Sequence, residues 1–178
     1  MIELKSFRNL DAVLIGILAI IWALLSYTVD FMWLVVISVI SIIMVSLLCR
    51  RCIAAIIFFL LASVLAYCVN NYLFYNMFSY YFIGIFLIFS MLYEGILYLL
   101  RKRYVMGILV ATAVSSASIP WSMWLLTSRT KELLINTASF SINCLLIGLF
   151  TAVVALLVWY KLRENKHVLR FVNREFTL

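Results

Sequence analysis

The 22 residues from Ser79 to Leu100, SYYFIGIFLIFSMLYEGILYLL, contain one acidic or basic side chain, Glu94, and run straight into Arg101, Lys102 and Arg103. At about 1.5 Å of rise per residue a helix of this length reaches roughly 33 Å, enough to cross the hydrocarbon core of a bilayer. Lys and Arg are retained on the cytoplasmic side of a membrane, so the basic triplet sets the direction of the segment, with Ser79 outside and Leu100 inside. The rest of the chain is counted from it. Of the 178 residues, 67% are hydrophobic and 12% charged, more apolar surface than a water-soluble domain of this size can hide. The length fits one compact bundle.

Six spans are predicted, at about 12–29, 31–49, 52–69, 79–100, 104–127 and 138–160. The fold class is an all-α, six-helix membrane bundle forming one domain, followed by a basic amphipathic tail over 161–178. With the N-terminus inside, the inner side receives Lys5, Arg8, Arg50, Arg51, Arg101, Lys102, Arg103, Lys161, Arg163, Lys166, Arg170 and Arg174, and the outer side only Arg129 and Lys131. That asymmetry predicts that both termini are cytoplasmic, in a multi-pass protein of the cell membrane. The net charge of +7 collects at segment ends, where it meets lipid headgroups, so nucleic acid is not expected as a partner. The first apolar run lacks a small-residue cleavage site, and no cleaved signal peptide is expected.

Small residues mark three predicted faces. In the first span Ala12, Gly16, Ala19, Ala23 and Ser26 recur at spacings that place them on one side of a helix. Lipid supplies no hydrophobic force between helices, so close backbone approach is a main source of adhesion and small residues permit it. This face is either a contact within the bundle or a docking face for another membrane subunit. Gly107, Ala111, Ser115, Ser118 and Ser122 repeat the pattern in the fifth span, and Cys144, Gly148, Ala152 and Ala155 form a small face in the last. Gly84 and Gly95 are predicted to share a face of the fourth.

The candidate ligand residues lie toward the outer side. The uncharged loop NNYLFYNMFSYY offers Asn70, Asn71, Tyr72 and Tyr75, either as an interfacial aromatic belt or as a lid over an outward-facing cavity. The only proline, Pro120, sits in SSASIPWSMW. It has no amide donor, so the carbonyl near Ser116 loses its partner. Trp121 and Trp124 follow, and Asn143 lies near the outer end of the last span. A kink with free polar backbone and two indoles suits a small neutral or heterocyclic ligand, and equally an ordinary kinked helix with belt tryptophans. Glu94, at a depth where an ionisable group rarely faces lipid, is open to pairing with Arg50, Arg51 or the next helix, to coupling with a partner subunit, or to a ligand or proton role.

Cys49-Arg50-Arg51-Cys52 is formally C-x-x-C, but His167 is the only histidine and no further ligands gather round it, so no metal or cofactor is expected. Phosphate-cradling glycine loops, H-E-x-x-H, G-x-S-x-G and acidic clusters are absent from the sequence, which argues against an enzyme. Leu162, Leu169, Val172 and Phe176 make an apolar stripe on the tail, suited to the inner membrane surface or a partner.

The layout of 178 residues in six spans with Ala19-Ile-Ile-Trp-Ala23 in the first resembles the substrate-binding S component of energy-coupling factor (ECF) vitamin transporters. The last span, LLIGLFTAVVALLVWYKL, is similar to the ends of such chains. The resemblance implies that Ala19 and Ala23 dock on a membrane T component driven by two cytoplasmic ATPases. It implies that Asn70 to Tyr81 lids a vitamin-like solute at the outer face. The competing expectation is a non-catalytic scaffold subunit of the rod-shape-determining MreD type, which needs no cavity.

Overall fold

The computed structural model describes residues 9–28, 30–49, 53–69, 81–126 and 131–163. These residues form six α-helices and no strand: α1 (Asn9–Thr28), α2 (Phe31–Cys49), α3 (Ala54–Val69), α4 (Tyr81–Leu99), α5 (Tyr104–Leu126) and α6 (Lys131–Arg163). Helices close all but their terminal backbone hydrogen bonds within one segment, which suits a setting with no water at hand. Four helices contain stretches long and apolar enough to cross a bilayer: Met32–Cys49, Tyr81–Leu99, Tyr104–Leu126 and Asn136–Leu162. Asp11–Ser26 and Ala54–Val69 are shorter apolar helices. Outward-facing apolar side chains such as Val13, Ile142, Phe150 and Leu157 complete the character of a membrane protein.

The helices close into a ring in the order α1, α3, α4, α5, α6, α2, with α2 also touching α3 and α5. Successive helices are not always the best-packed neighbours. α1 and α2 are joined by a two-residue link, yet α1 packs far more extensively on α3. α4 turns into α5 through Leu100 and a 3-10 turn over Arg101–Arg103. Two backbone bonds hold that turn, Leu100 N–H to Ile96 O at 2.9 Å and Arg103 N–H to Leu100 O at 2.8 Å.

α6 starts earlier than the span expected at 138. Lys131 and Glu132, assigned to an outer loop on sequence, stand in its first turn. The stretch KELLINTAS contains neither Gly nor Pro and opens on strong helix formers, so helix propensity carries the last span outward past its apolar limit.

Two kinds of packing hold the ring. Trp22 of α1, Phe58 and Phe59 of α3, and Phe86 and Phe89 of α4 are buried together. Trp22 meets Phe86 edge-on at 4.9 Å and Phe59 at 5.7 Å, while Phe59 stacks on Phe86 at 5.5 Å. α5 and α6 approach instead through small residues. A Cβ on Gly148 would fall on the Ser116 side chain and lie 3.2 Å from Thr112 O, so only glycine permits this approach. The small faces of both helices are turned inward: Gly107, Ala111, Ser115 and Ser122 on one, Cys144, Gly148 and Ala152 on the other, are all buried. Buried hydroxyls largely return to their own helix, as Ser46 does to Ile42 O, Ser63 to Phe59 O and Thr112 to Ile108 O.

Candidate functional site

The end of the bundle away from Arg101–Arg103 holds Pro120, roughly 24 Å along α5 from Tyr104. Pro120 is buried inside the helix. Hydroxyls crowd the turn before it and after it. Ser116 Oγ donates to Thr112 O at 2.7 Å, Ser118 to Ser115 O at 2.6 Å and Ser122 to Ile119 O at 2.8 Å. The decisive contact comes from α6. Ser141 Oγ donates to Ala117 O at 2.7 Å and accepts the indole N–H of Trp121 at 3.1 Å. A neighbouring helix thus supplies a hydrogen-bond donor beside the proline, the usual way such a break is tolerated in an apolar setting.

Trp121 is 39% exposed and Trp124 half-buried, with their rings edge-to-face at 6.5 Å. The structure therefore brings together Trp121, Trp124, Ser141 and the serines around Pro120. Asn143, grouped with the tryptophans on sequence, is exposed on the outside of α6. Two residues past the inward Ser141, it is rotated by about 200° and does not join the cluster. Asn70, Asn71, Tyr72 and Tyr75 lie outside the described residues. Tyr81, the last residue of the expected lid, opens α4 half-buried.

The proposed docking face changes character along its length. Ala12 is exposed, and Gly16 has open space where a Cβ would stand. Ala19 and Ala23 are 0% and 3% exposed and flank Trp22 in the aromatic core. In this conformation those two alanines present no surface to a second subunit. Only the Ala12–Gly16 end is open.

Glu94 is buried, and its role is legible in its partner. Its Oε1 accepts the backbone N–H of Ala55 at 2.9 Å, in the first turn of α3, and the Ile53 backbone approaches the same carboxylate. The first amides of a helix have no intrahelical acceptor, and a carboxylate there also complements the positive end of the helix dipole. Glu94 is a cap delivered from another helix. It offsets an awkward entry, because Ile53 just before α3 adopts φ 76°, a region that β-branched residues rarely occupy. Arg50 and Arg51, the partners considered on sequence, lie outside the described residues. Nearby, Tyr104 Oη donates to Ser46 O at 3.0 Å, and the fully buried Tyr93 hydroxyl makes no hydrogen bond.

Cys49 and Cys144 are buried and Cys68 is exposed, while Cys52 and His167 fall outside the described residues. Among the described residues no three His, Cys, Asp or Glu side chains gather as metal ligands would. The hydroxyls of Ser116, Ser118, Ser122 and Ser141 donate to backbone carbonyls, while the buried Ser115 Oγ makes no hydrogen bond. Sequence reasoning missed Ser141, Ser38 and the amide of Ala55. Each acts across a gap of sixteen or more residues, and only the packed helices show which carbonyl, indole or carboxylate stands opposite.

Comparison with family profiles, with curated proteins and with solved structures returned no match for this chain.

Proposed function

We propose that this chain is a six-span membrane subunit with both termini in the cytoplasm, and that it binds a small neutral solute at its outer end. The segregation of twelve Lys and Arg residues from the remaining two supports the orientation. α1 and α3 are short for a span, and flanking interfacial residues or a thinned bilayer accommodate such lengths. The observation that carries solute binding is the Pro120 turn of α5, with its hydroxyls and paired indoles, at the end remote from Arg101–Arg103. Uptake then needs energy from other chains. The layout fits an ECF-type S component served by a membrane T component and two ATPases.

Ala12 and Gly16, the open end of the small-residue face, are the positions where such a partner meets α1. A scaffold subunit of the MreD type is the second reading. The burial of Ala19 and Ala23 and the ring-filled space between α1, α3 and α4 favour it.

The test is mass spectrometry of small molecules released when the purified protein is denatured, followed by titration of tryptophan fluorescence with whatever is found. A stoichiometric heterocycle that shifts the emission is expected. An empty protein that co-purifies with a membrane partner but no ATPase would overturn solute uptake in favour of the scaffold. Gly16→Leu should abolish assembly with a T component, and normal assembly would remove the docking assignment.

A further inference from the structure

α6 is the least covered of the four long apolar helices: 28% of its apolar stretch is buried, against 39% to 56% in the other three. Cys144, Gly148 and Ala152 turn inward, so the opposite side of α6 faces out of the bundle. On that side Ser139, Asn143, Leu146, Phe150, Val153 and Leu157 follow one another at alternating intervals of four and three residues, and all are exposed. This is the heptad spacing by which two helices coil around each other. An apolar row of that kind is at home in lipid, and Asn143 is the member that is not. Tyr160 and Lys161, an interfacial aromatic followed by a cation, mark the limit of the apolar stretch. The roughly 20 residues needed to cross the hydrocarbon reach back from there past Asn143. Asn143 therefore lies within the core, roughly 26 Å along α6 from Tyr160. Its amide carries two N–H donors and a carbonyl acceptor, none of which hydrocarbon can satisfy.

We propose that this face of α6 is a homodimer interface, in which a second copy of this chain lays its own α6 alongside and the two Asn143 amides bond to each other. Copies inserted in one membrane share one orientation. Their α6 helices then run parallel about a two-fold axis normal to the bilayer, and each residue near the axis meets its own counterpart. That symmetry selects what can stand there. A charged side chain would meet its like, and a lone donor would find no acceptor. An amide is self-complementary: each Asn143 donates an N–H to the carbonyl oxygen of the other, and two bonds close together. One Asn at a core position of a parallel helix pair fixes register and partner number in this way, and such amides hold helices together in lipid. A different subunit would have to bring a polar group of its own to the same depth, whereas a second copy brings it by symmetry. Phe150 and Leu157 add packing contact along the rest of the row. The inference goes beyond solute binding and requires only that α6 spans the membrane.

The experiment uses the full-length protein, labelled in separate batches with donor and acceptor fluorophores on a C-terminal tag and mixed in liposomes over a range of protein-to-lipid ratios. Energy transfer should follow a monomer–dimer equilibrium. Asn143→Leu should lower the association constant at least about fivefold, the loss expected for a pair of interhelical amide bonds in lipid. Asn143→Gln keeps the amide and should recover most of it. A chain that stays monomeric throughout, or an Asn143→Leu variant that associates as the parent does, would overturn the interface. A second measurement does not depend on Asn143 variants. In native membranes, with the four natural cysteines replaced by Ala, Phe150→Cys should cross-link on oxidation to a product of twice the chain mass. Ile20→Cys, on an exposed position of α1, should not. A product of any other mass from Phe150→Cys, or dimers from Ile20→Cys alone, would assign the face to a different occupant and remove the proposal.

Discussion

Two tryptophans in this bundle donate to a serine on a neighbouring helix, and the two arrangements behave differently. Trp22 of α1 donates to Ser38 Oγ of α2 at 3.0 Å, and the Ser38 hydroxyl donates to Leu34 O in the same helix. Trp121 of α5 donates to Ser141 of α6, and Ser141 reaches back to α5 at Ala117. The first indole is 1% exposed and enclosed by Phe59 and Phe86. The second is 39% exposed beside a proline. Similar donors and acceptors therefore do different work. Where rings fill the surroundings, the hydrogen bond satisfies a polar atom that packing has already fixed. Where the ring is partly exposed, the hydrogen bond ties its polar edge to the neighbouring helix.

The largest effect is expected from Trp22→Ala. In lipid the water-transfer term largely disappears, so the loss is that of packing: a cavity between three helices, worth about 3 kcal/mol of stability in denaturant or thermal unfolding. Trp121→Ala should cost less than about 1 kcal/mol in the same assay, because 39% of its surface is already exposed. Equal losses would break the distinction between the two sites. Gly148→Ala comes next. Its methyl group has no room against Ser116 and the Thr112 carbonyl, and parting α5 from α6 should cost about 2 kcal/mol. Ser38→Ala against Ser141→Ala sharpens the comparison further. The first strands a buried indole N–H and should cost about 1–2 kcal/mol of global stability. The second should change global unfolding by less than about 0.5 kcal/mol, because the Trp121 indole that it releases is already 39% exposed.

The same contrast explains how far the sequence could be read. Helix positions followed from apolar run length, and the facing small residues of α5 and α6 followed from periodicity, because both depend on local spacing. The end of α6 did not, since helix propensity in KELLINTAS outweighs polarity there. Gly84 and Gly95 share a helical face by arithmetic, yet Gly84 seats Leu126 and Gly95 meets nothing. Only the neighbours separate them. The aromatic core was hidden for a related reason. In spans that are apolar all round, Phe58, Phe59, Phe86 and Phe89 have no polar residues to mark which side faces inward. Glu94 was legible as unusual, but its partner is a backbone amide, which leaves no trace in a sequence. Of the candidate site, Trp121 and Trp124 were found through the proline, whereas Ser141 was one serine among many.

The smallest predicted effect bears on whether buried polar atoms here are always satisfied as that of Trp22 is. Tyr93 is fully buried, and its hydroxyl meets no partner at full hydrogen-bond geometry, although the Ser46 hydroxyl approaches closely enough to interact with it and Tyr104 is close by. Ser46 Oγ is committed to Ile42 O, and Tyr104 Oη to Ser46 O, so neither donates to Tyr93, and the Tyr93 proton does not meet their lone pairs at hydrogen-bond geometry. A hydroxyl buried without a partner has lost its solvation and gained nothing, so removing it should be neutral or slightly stabilising. Tyr93→Phe, which keeps the ring, is therefore expected to leave stability within about 0.5 kcal/mol of the parent or raise it. A loss above about 1 kcal/mol would mean that a bound water serves the hydroxyl, because a buried water needs two or more polar partners and Ser46 and Tyr104 each retain an accepting lone pair. In that outcome the junction of α2, α4 and α5 is a hydrated polar joint, and the contrast between a dry ring-filled half and a hydroxyl-rich half fails at this point.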